Sequence, residues 1–388
     1  MSAWALVRDA LLVLAVAPFA YYVVAIAAAA KFFRKGSAAP SDFTPPVSIL
    51  KPIRGLDREA YENYASFCRQ NYPEFEVLFC VSDESDPAIP VIRKVIQDFP
   101  QRQIRLLIGA EALGASDKVN KLCRMAREAK NDIVIVSDSD VRVEDGFLRS
   151  VVAPFQDPKV GGVTCLYRGL TDDSFAANLE ALGNSADFAP GVLVAWLGSG
   201  GSLDFMLGAV MATTKKHLAE IGGFESLVDY FCDDYELGNR IAARGYRVEL
   251  SRFPVDIVYP RETFAGAFRH QVRWNLSIRY SRPWGHLGLI FTQGLAWIVI
   301  GMVLLHSWVG VFAFGAAYLL LRVEAALSAG ARGMHDPLVV RKQWLLPVRD
   351  AFAFVVWLAS FFPQRIRWRD RQFRIRDKRL IPVAPRAS

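Results

Sequence analysis

Cysteine is scarce in this sequence, with 5 in 388 residues. Cys68, Cys80, Cys123, Cys165 and Cys232 are scattered, odd in number and never spaced as CxxC, which excludes a disulfide framework and a cysteine zinc site. They read as reduced thiols, mostly small core residues. Charge is also low: 22% of residues are charged against 52% hydrophobic, a balance that excludes disorder. No internal repeat or low-complexity block is present. The formal charge of +7 comes from 46 Lys and Arg against 39 Asp and Glu, and it is local. Residues 365 to 388 hold nine basic and two acidic side chains, so the preceding 364 residues are neutral. A globally basic nucleic-acid binder is therefore disfavoured, and no nucleic-acid partner is expected. A basic tail after membrane segments is more simply a partner for anionic headgroups, at roughly 1 kcal/mol per basic residue.

Long apolar runs, by contrast, are plentiful. From Ala10 to Ala30 run 21 residues without a charge, long enough at about 1.5 Å per residue to cross a hydrocarbon core of about 30 Å. Lys31, Arg34 and Lys35 follow this run while Arg8 and Asp9 flank its start. The positive-inside bias then puts the N-terminus outside and the next domain in the cytosol. A cleaved signal peptide is the alternative, because Ala27 to Ala30 could form a cleavage site, but the run exceeds the usual stretch of about 7 to 15 residues. Pro283 to Leu321 is 39 residues without Lys, Arg, Asp or Glu, nearly twice one crossing, and suggests a helical hairpin turning near His306-Ser307. Trp344 to Phe362 contains Pro347, Arg349 and Asp350, which are costly in lipid, and is expected to lie in the interface or to re-enter. The expected organisation is an anchor (1–30), a Pro/Ser-rich linker (31–46), a catalytic domain (47–282), a membrane hairpin (283–328), a basic connector with an interfacial segment (329–362) and a basic cytosolic tail (363–388).

The middle of the chain alternates strand and helix patterns. Val47 to Leu50, Val77 to Val81 and Asp132 to Ser137 are short β-rich runs, separated by helical patterns such as Glu59 to Arg69 and Ile89 to Phe99. That order predicts a parallel sheet with crossover helices, and ligands gather beyond the carboxyl ends of such strands. The residues there are acidic. Asp138 and Asp140 stand two apart after the third run, a spacing that offers oxygen ligands to Mg²⁺ or Mn²⁺, which in turn clamps a diphosphate. Gly114 to Lys121 is a glycine turn with Lys118 at a helix opening, suited to phosphate or simply a capped helix with solvated lysines. Asp233 and Asp234 open another helical pattern beside Cys232, either as a cap or as a carboxylate in a partly apolar setting suited to general base work. Arg269 to Trp274 precedes the hairpin as a basic and aromatic cluster, an interfacial anchor or a holder of a leaving diphosphate.

Taken together, these residues resemble the membrane-bound inverting glycosyltransferases of the ceramide glucosyltransferase type (families 21 and 2). The resemblance covers about Val47 to Trp274 with the membrane segments on either side. It rests on VSILKPIRGLD (47–57), NYPEFEVLFCVSDESDPAI (71–89), KVNKL (118–122), VSDSDVRV (136–143), DDYELGNRIAARG (233–245) and HQVRW (270–274). It implies an α/β GT-A fold with an N-terminal transmembrane helix and C-terminal membrane hairpin and interfacial segments. By matching position, Asp83 resembles the first family aspartate, which contacts the nucleotide, and Asp138 the second, with Asp140 completing a DxD metal site. Asp234 matches the third, the expected catalytic base. Arg273 and Trp274 match the end of a (Gln/Arg)-x-x-Arg-Trp motif whose first position here is His270, a departure that Gln271 stands beside. CLYRG (165–169), residues 179–195 and 222–238, and SFFPQRIRW (360–368) look most like a bacterial branch that adds N-acetylglucosamine to bacteriohopanetetrol.

The resemblance implies transfer of a hexose, glucose or N-acetylglucosamine, from a UDP-sugar to the hydroxyl of a membrane lipid, a hopanoid or a ceramide. Lys118, Arg273 and His270 would add positive potential at the diphosphate, with Mg²⁺ or Mn²⁺ as cofactor. A processive polysaccharide synthase and a non-catalytic lipid-binding scaffold are the alternatives. The setting implied is a bacterial inner membrane with the catalytic domain in the cytosol.

Overall fold

The computed structural model describes residues 3–34, 42–305, 307–362, 366–368 and 371–383. Residues 35–41 of the expected linker, the turn residue His306 and parts of the basic tail lie outside the described residues. The chain forms two compact units, each assembled from separate stretches. One, here the sheet unit, holds residues 35–170, 198–260 and 365–388. The other, the helical unit, holds residues 1–34, 171–197 and 261–364. The continuous 47–282 domain expected from sequence is thus interrupted: residues 171–197 and 261–282 fold with the helical unit.

In the sheet unit, β1 (Val47–Pro52), β2 (Phe75–Val81), β3 (Gln103–Ile108) and β4 (Ile133–Ser137) lie parallel in the order β3-β2-β1-β4. Every residue of β1, β2 and β4 is buried, the near-continuous apolar pattern of strands covered on both faces. Helices Ala60–Cys68, Ile89–Asp98 and Asp117–Glu128 make the crossovers between them. Beyond β4 the sheet becomes mixed. β5 (Val141–Arg142), β6 (Val160–Leu170), β7 (Val210–Thr214) and β8 (Arg247–Val258) complete an eight-stranded order β3-β2-β1-β4-β7-β6-β8-β5, with β7 antiparallel to both β4 and β6. The reversal at β7 brings the loop just before it, Leu207 to Ala209, back over the end of β4: Asp138 N donates to Ala209 O at 3.4 Å. A separate antiparallel sheet comprises β9 (Ile366–Trp368), β10 (Arg371–Arg376) and β11 (Arg379–Pro382). All five cysteines are buried thiols that form no disulfide.

The helical unit carries the apolar runs. Residues Ala3–Phe33 and Trp308–Gly333 are long and apolar enough to cross a membrane, and Pro283–Thr292 with Gly294–Leu305 forms a third candidate bent by 52°. Tyr22, Ile298, Tyr318 and Ala325 join these helices in one apolar cluster, with Phe19 edge-on to Phe314 at 4.8 Å. Outward-facing Val13, Val303, Val309, Phe312 and Leu320 stay exposed, which suits a lipid-facing surface. The helix Leu346–Ala359 has 14 residues, fewer than the roughly 20 of a single crossing. Its Arg349 and Asp350, costly in lipid, are buried in ion pairs: Arg349 Nε lies 2.7 Å from Asp187 Oδ2, and Arg322 Nη2 lies 2.7 Å from Asp350 Oδ1. Asp187 comes from the 171–197 stretch, whose Leu179, Leu182 and Ala186 pack on Ala326, Val339, Leu345 and Leu346. Those contacts are the physical reason that stretch leaves the sheet unit.

Candidate active site

Of the three aspartates matched to the first, second and third family positions, two converge. Asp138 follows the carboxyl end of β4, and Asp234 is the second residue of the helix Asp233–Ala243. The two carboxylates meet over Gly208: a Cβ placed there would lie 3.1 Å from Asp234 Oδ2 and 3.7 Å from Asp138 Oδ2. Glycine leaves that space open. Lys118, in the first turn of the helix Asp117–Glu128 behind its Ser116 N-cap, sends Nζ to within 2.8 Å of Asp138 Oδ1 and 3.4 Å of Asp233 Oδ2. Residues from four separate segments of the sheet unit therefore share one locus.

The electrostatics of this cluster are dominated by acid. Burial, and then the carboxylate of Asp233, push Asp234 up to about 6, with Lys118 opposing. Burial, and then Asp138 and Asp57, push Asp140 up to about 7. Burial works against the charge of Lys118, but Asp138 and Asp233 outweigh it and hold the ammonium above the ordinary lysine range. Asp234 Oδ1 also accepts from the backbone N–H of Tyr235 at 2.8 Å, which fixes the carboxylate's orientation at the helix start.

Asp83 sits at the same strand ends, just after β2, but it is exposed. Its Oδ1 accepts from Ser85 N at 2.9 Å and from the Ser85 hydroxyl, bonds that hold its carboxyl below the usual range.

Lys51, inside β1, is a residue of this region that motif reading does not single out. Fully buried, it donates from Nζ to the carbonyl O of Asp138 at 2.9 Å and to Ser137 Oγ at 3.3 Å, and it sits 3.8 Å over the Phe67 ring. Burial lowers its pKa to about 7. Asp57 is its counterpart, accepting from Ser139 Oγ. Together they pin both sides of the Asp138-Ser139-Asp140 turn. The sequence signal for both was their place in VSILKPIRGLD (47–57), with Lys51 directly after the apolar run Val47 to Leu50.

Whether these residues suit a divalent cation depends on donor number. Among the described residues no group of three or more His, Cys, Asp or Glu side chains is placed to hold a metal. The DxD pair by itself fits Mg²⁺ or Mn²⁺, because such ions in nucleotide sites take one or two carboxylates and fill the rest of the shell with phosphate oxygens and water. Burial first, and the neighbouring carboxylates after it, raise Asp140 and Asp234, so a cation here would meet acids that Lys118 alone does not offset.

The remaining predicted residues lie in the helical unit, on the helix Phe264–Ser281. His270 Nδ1 is 2.8 Å from Glu180 Oε1, and Gln271 Nε2 donates to the same oxygen at 3.3 Å. Gln271 Oε1 in turn accepts from Arg349 Nη2 at 3.1 Å. Both neighbours at the altered motif position thus serve one buried carboxylate. Trp274 packs edge-on against His270 at 4.9 Å, and Arg273 is one residue before it on the same helix.

Comparison with known proteins identifies the fold and the family. Ceramide glucosyltransferase 1 of Caenorhabditis elegans is 30% identical over 238 residues, 61% of this chain and 50% of the relative. The ceramide glucosyltransferase of Gibberella zeae is 32% identical over 177 residues, 42% of this chain and 34% of the relative. The chain spans half or less of the length of these relatives. Among solved structures, a mannosyltransferase from Pyrobaculum calidifontis in complex with GDP-Man and Mn²⁺ superposes with a TM-score of 0.55 at 18% identity, covering 92% of this chain and 99% of that one. At that identity the likeness speaks for the fold alone, and the fold is GT-A, as the motifs implied. The model described as Glycosyl transferase family 21 matches residues 10–381, nearly the whole chain, and the chain therefore belongs to glycosyl transferase family 21.

Proposed function

We propose that this protein transfers a hexose from a UDP-sugar to the hydroxyl of a membrane lipid in one inverting displacement. The observation that carries the reading is the convergence of Asp138 and Asp234 over Gly208, with the Lys118 ammonium paired to Asp138. An acid beside a cation at the strand ends is what a nucleotide-diphosphate donor site needs, and a second acid with a raised pKa is what a base needs.

In the proposed step, Asp234 accepts the proton of the lipid hydroxyl as its oxygen attacks the anomeric carbon. The bond from that carbon to the β-phosphate oxygen breaks, UDP departs with the bonding pair, and the new glycosidic bond forms on the opposite face. A single displacement inverts configuration, and no second carboxylate is needed as nucleophile. Lys118 sits where negative charge accumulates on the departing diphosphate, and a preformed charge there favours the transition state. Mg²⁺ or Mn²⁺ held by Asp138 and Asp140 would supply further neutralisation of that diphosphate. Asp83 is proposed to meet the nucleotide.

The acceptor class follows from the apolar helices and from the ceramide glucosyltransferase relatives. A membrane lipid leaves the bilayer only at about 0.8 kcal/mol per CH₂, so its hydroxyl is met at the interface. Ceramide and bacteriohopanetetrol both offer such a hydroxyl, and glucose and N-acetylglucosamine are the donor sugars to compare. Lys31 and Arg34 at the end of the first apolar helix support a cytosolic sheet unit, and a bacterial inner membrane is the proposed location. Detergent-solubilised protein incubated with each UDP-sugar and each lipid tests the reading: a glycolipid whose formation requires the UDP-sugar and releases UDP is expected, whereas a polymer, or hydrolysis alone, would refute it.

A further inference from the structure

The C-terminal residues that account for the net charge do more than add charge. In the β10–β11 hairpin, Phe373 and Leu380 are buried while Gln372, Arg374, Arg376, Arg379 and Ile381 are exposed, a two-faced strand pair. Its turn is Asp377-Lys378, both left-handed at φ 50° and 64°, as a two-residue hairpin turn requires. The tip and the start of β11 meet residues 229 to 236. Leu380 N donates to Asp229 O at 2.7 Å, Phe231 N donates to Lys378 O at 3.0 Å, and Tyr230 bridges Arg379 in antiparallel fashion. Lys378 Nζ lies 3.4 Å from Glu236 Oε1, and the Arg379 guanidinium sits 5.3 Å over the Tyr230 ring.

The same segment grips the other side of the site. Asp229 Oδ1 accepts from Ala115 N at 2.9 Å, and Val228 O accepts from Ser116 N at 2.8 Å, at the cap of the helix bearing Lys118. Gly114 passes so close that a Cβ there would lie 2.7 Å from Asp229 Oδ1. Residues 228 to 232 form no helix or strand, and the chain then runs directly into Asp233 and Asp234.

We infer that the C-terminal hairpin is a strap that fixes residues 228 to 236 and so positions the Asp234 carboxylate and the Lys118 ammonium. Leu380 and Lys378 are then positioning residues for transfer, an inference that rests on the function proposed above. The strap works through backbone bonds to a segment with no regular structure, the kind of segment that opens locally when such bonds are removed.

The test uses the full-length protein with Leu380→Pro, which removes the N–H given to Asp229 and the buried side chain. Hydrogen exchange is expected to quicken by about tenfold or more at the amides of Ala115, Ser116 and Phe231. Turnover is expected to fall by about tenfold or more with donor KM within about threefold, because slight misplacement of a catalytic group costs up to about a hundredfold. Arg374→Ala and Arg376→Ala, on the exposed face, are expected to change neither readout. If the proline variant fails to accumulate, Leu380→Ala keeps the N–H and is expected to show the same exchange pattern with a smaller loss of turnover. Faster exchange confined to residues 371 to 383, or unaltered turnover, would overturn the strap. The two readings fail separately: if the unaltered protein transfers no sugar to any lipid, the function fails while the exchange pattern still decides the strap.

Discussion

Replacing Asp234 by asparagine is expected to disable the enzyme while stabilising it. The carboxylate is pushed from 3.8 up to about 6 by burial and by Asp233. Each pKa unit corresponds to about 1.36 kcal/mol, so the ionised side chain burdens the donor-free folded state by on the order of 1 to 3 kcal/mol at neutral pH. The sign follows from linkage. A folded-state pKa above the unfolded value contributes stability that is full below about 3.8 and is lost as pH rises through about 6. Asparagine carries no such charge, so its advantage should be largest at pH 7 and above and should vanish near pH 4. Lys118 keeps Asp138 and Asp233 as partners in the variant. Thermal unfolding of detergent-purified protein across pH 4 to 8 measures this directly, and a rise of a few degrees at neutral pH is expected. In parallel, transfer should drop by about 10² to 10⁴, the usual contribution of a positioned base. In the unaltered protein, kcat/KM should climb as pH passes through about 6, because only ionised Asp234 accepts the proton. Retained turnover, an acid limb near 4, or a variant less stable at every pH would refute the reasoning.

Three further outcomes follow from the geometry. Chelation by EDTA should abolish transfer, with recovery on adding Mn²⁺ or Mg²⁺; full activity in chelator would remove the role assigned to Asp138 and Asp140. Gly208→Ala places a methyl 3.1 Å from Asp234 Oδ2 without backbone strain, so turnover should fall by about tenfold with little change in melting, and normal turnover would show that the space is not used. Asp350→Ala leaves the buried Arg322 without its main partner and should cost about 3 to 5 kcal/mol, read as loss of folded protein; a well-folded variant would show that the pair is dispensable.

The parts of the fold visible in the sequence are those whose pattern is local. β1, β2 and β4 are continuous apolar runs, and the crossover helices between them have clear periodicity, so both were legible. β6 and β8 were not, because glycines and arginines interrupt them and their pairing contains register shifts between Val160 and Gly162 and between Cys165 and Tyr167. Residues 171–197 read as a continuation of the catalytic domain; only tertiary contacts, with Arg349 and Arg322 meeting Asp187, reveal their allegiance to the helical unit. At the site, Asp138 was visible as an acid after a strand and Asp234 as an acid opening a helix, but nothing in their spacing says that the two, 96 positions apart, share a glycine. The tail read as charge because its arginines are numerous. Its alternation of Phe373 and Ile375 with Arg374 and Arg376 is the period-2 signal that could have shown a strand.

The central claim is tested most directly by the product. Purified protein would be incubated with labelled UDP-glucose or UDP-N-acetylglucosamine against ceramide or bacteriohopanetetrol, and the lipid fraction analysed by mass spectrometry and anomeric NMR. The account predicts one sugar on one lipid hydroxyl, with anomeric configuration opposite to that of the donor. A polymer, a product that retains the donor's configuration, or no lipid-linked sugar in any combination would contradict it.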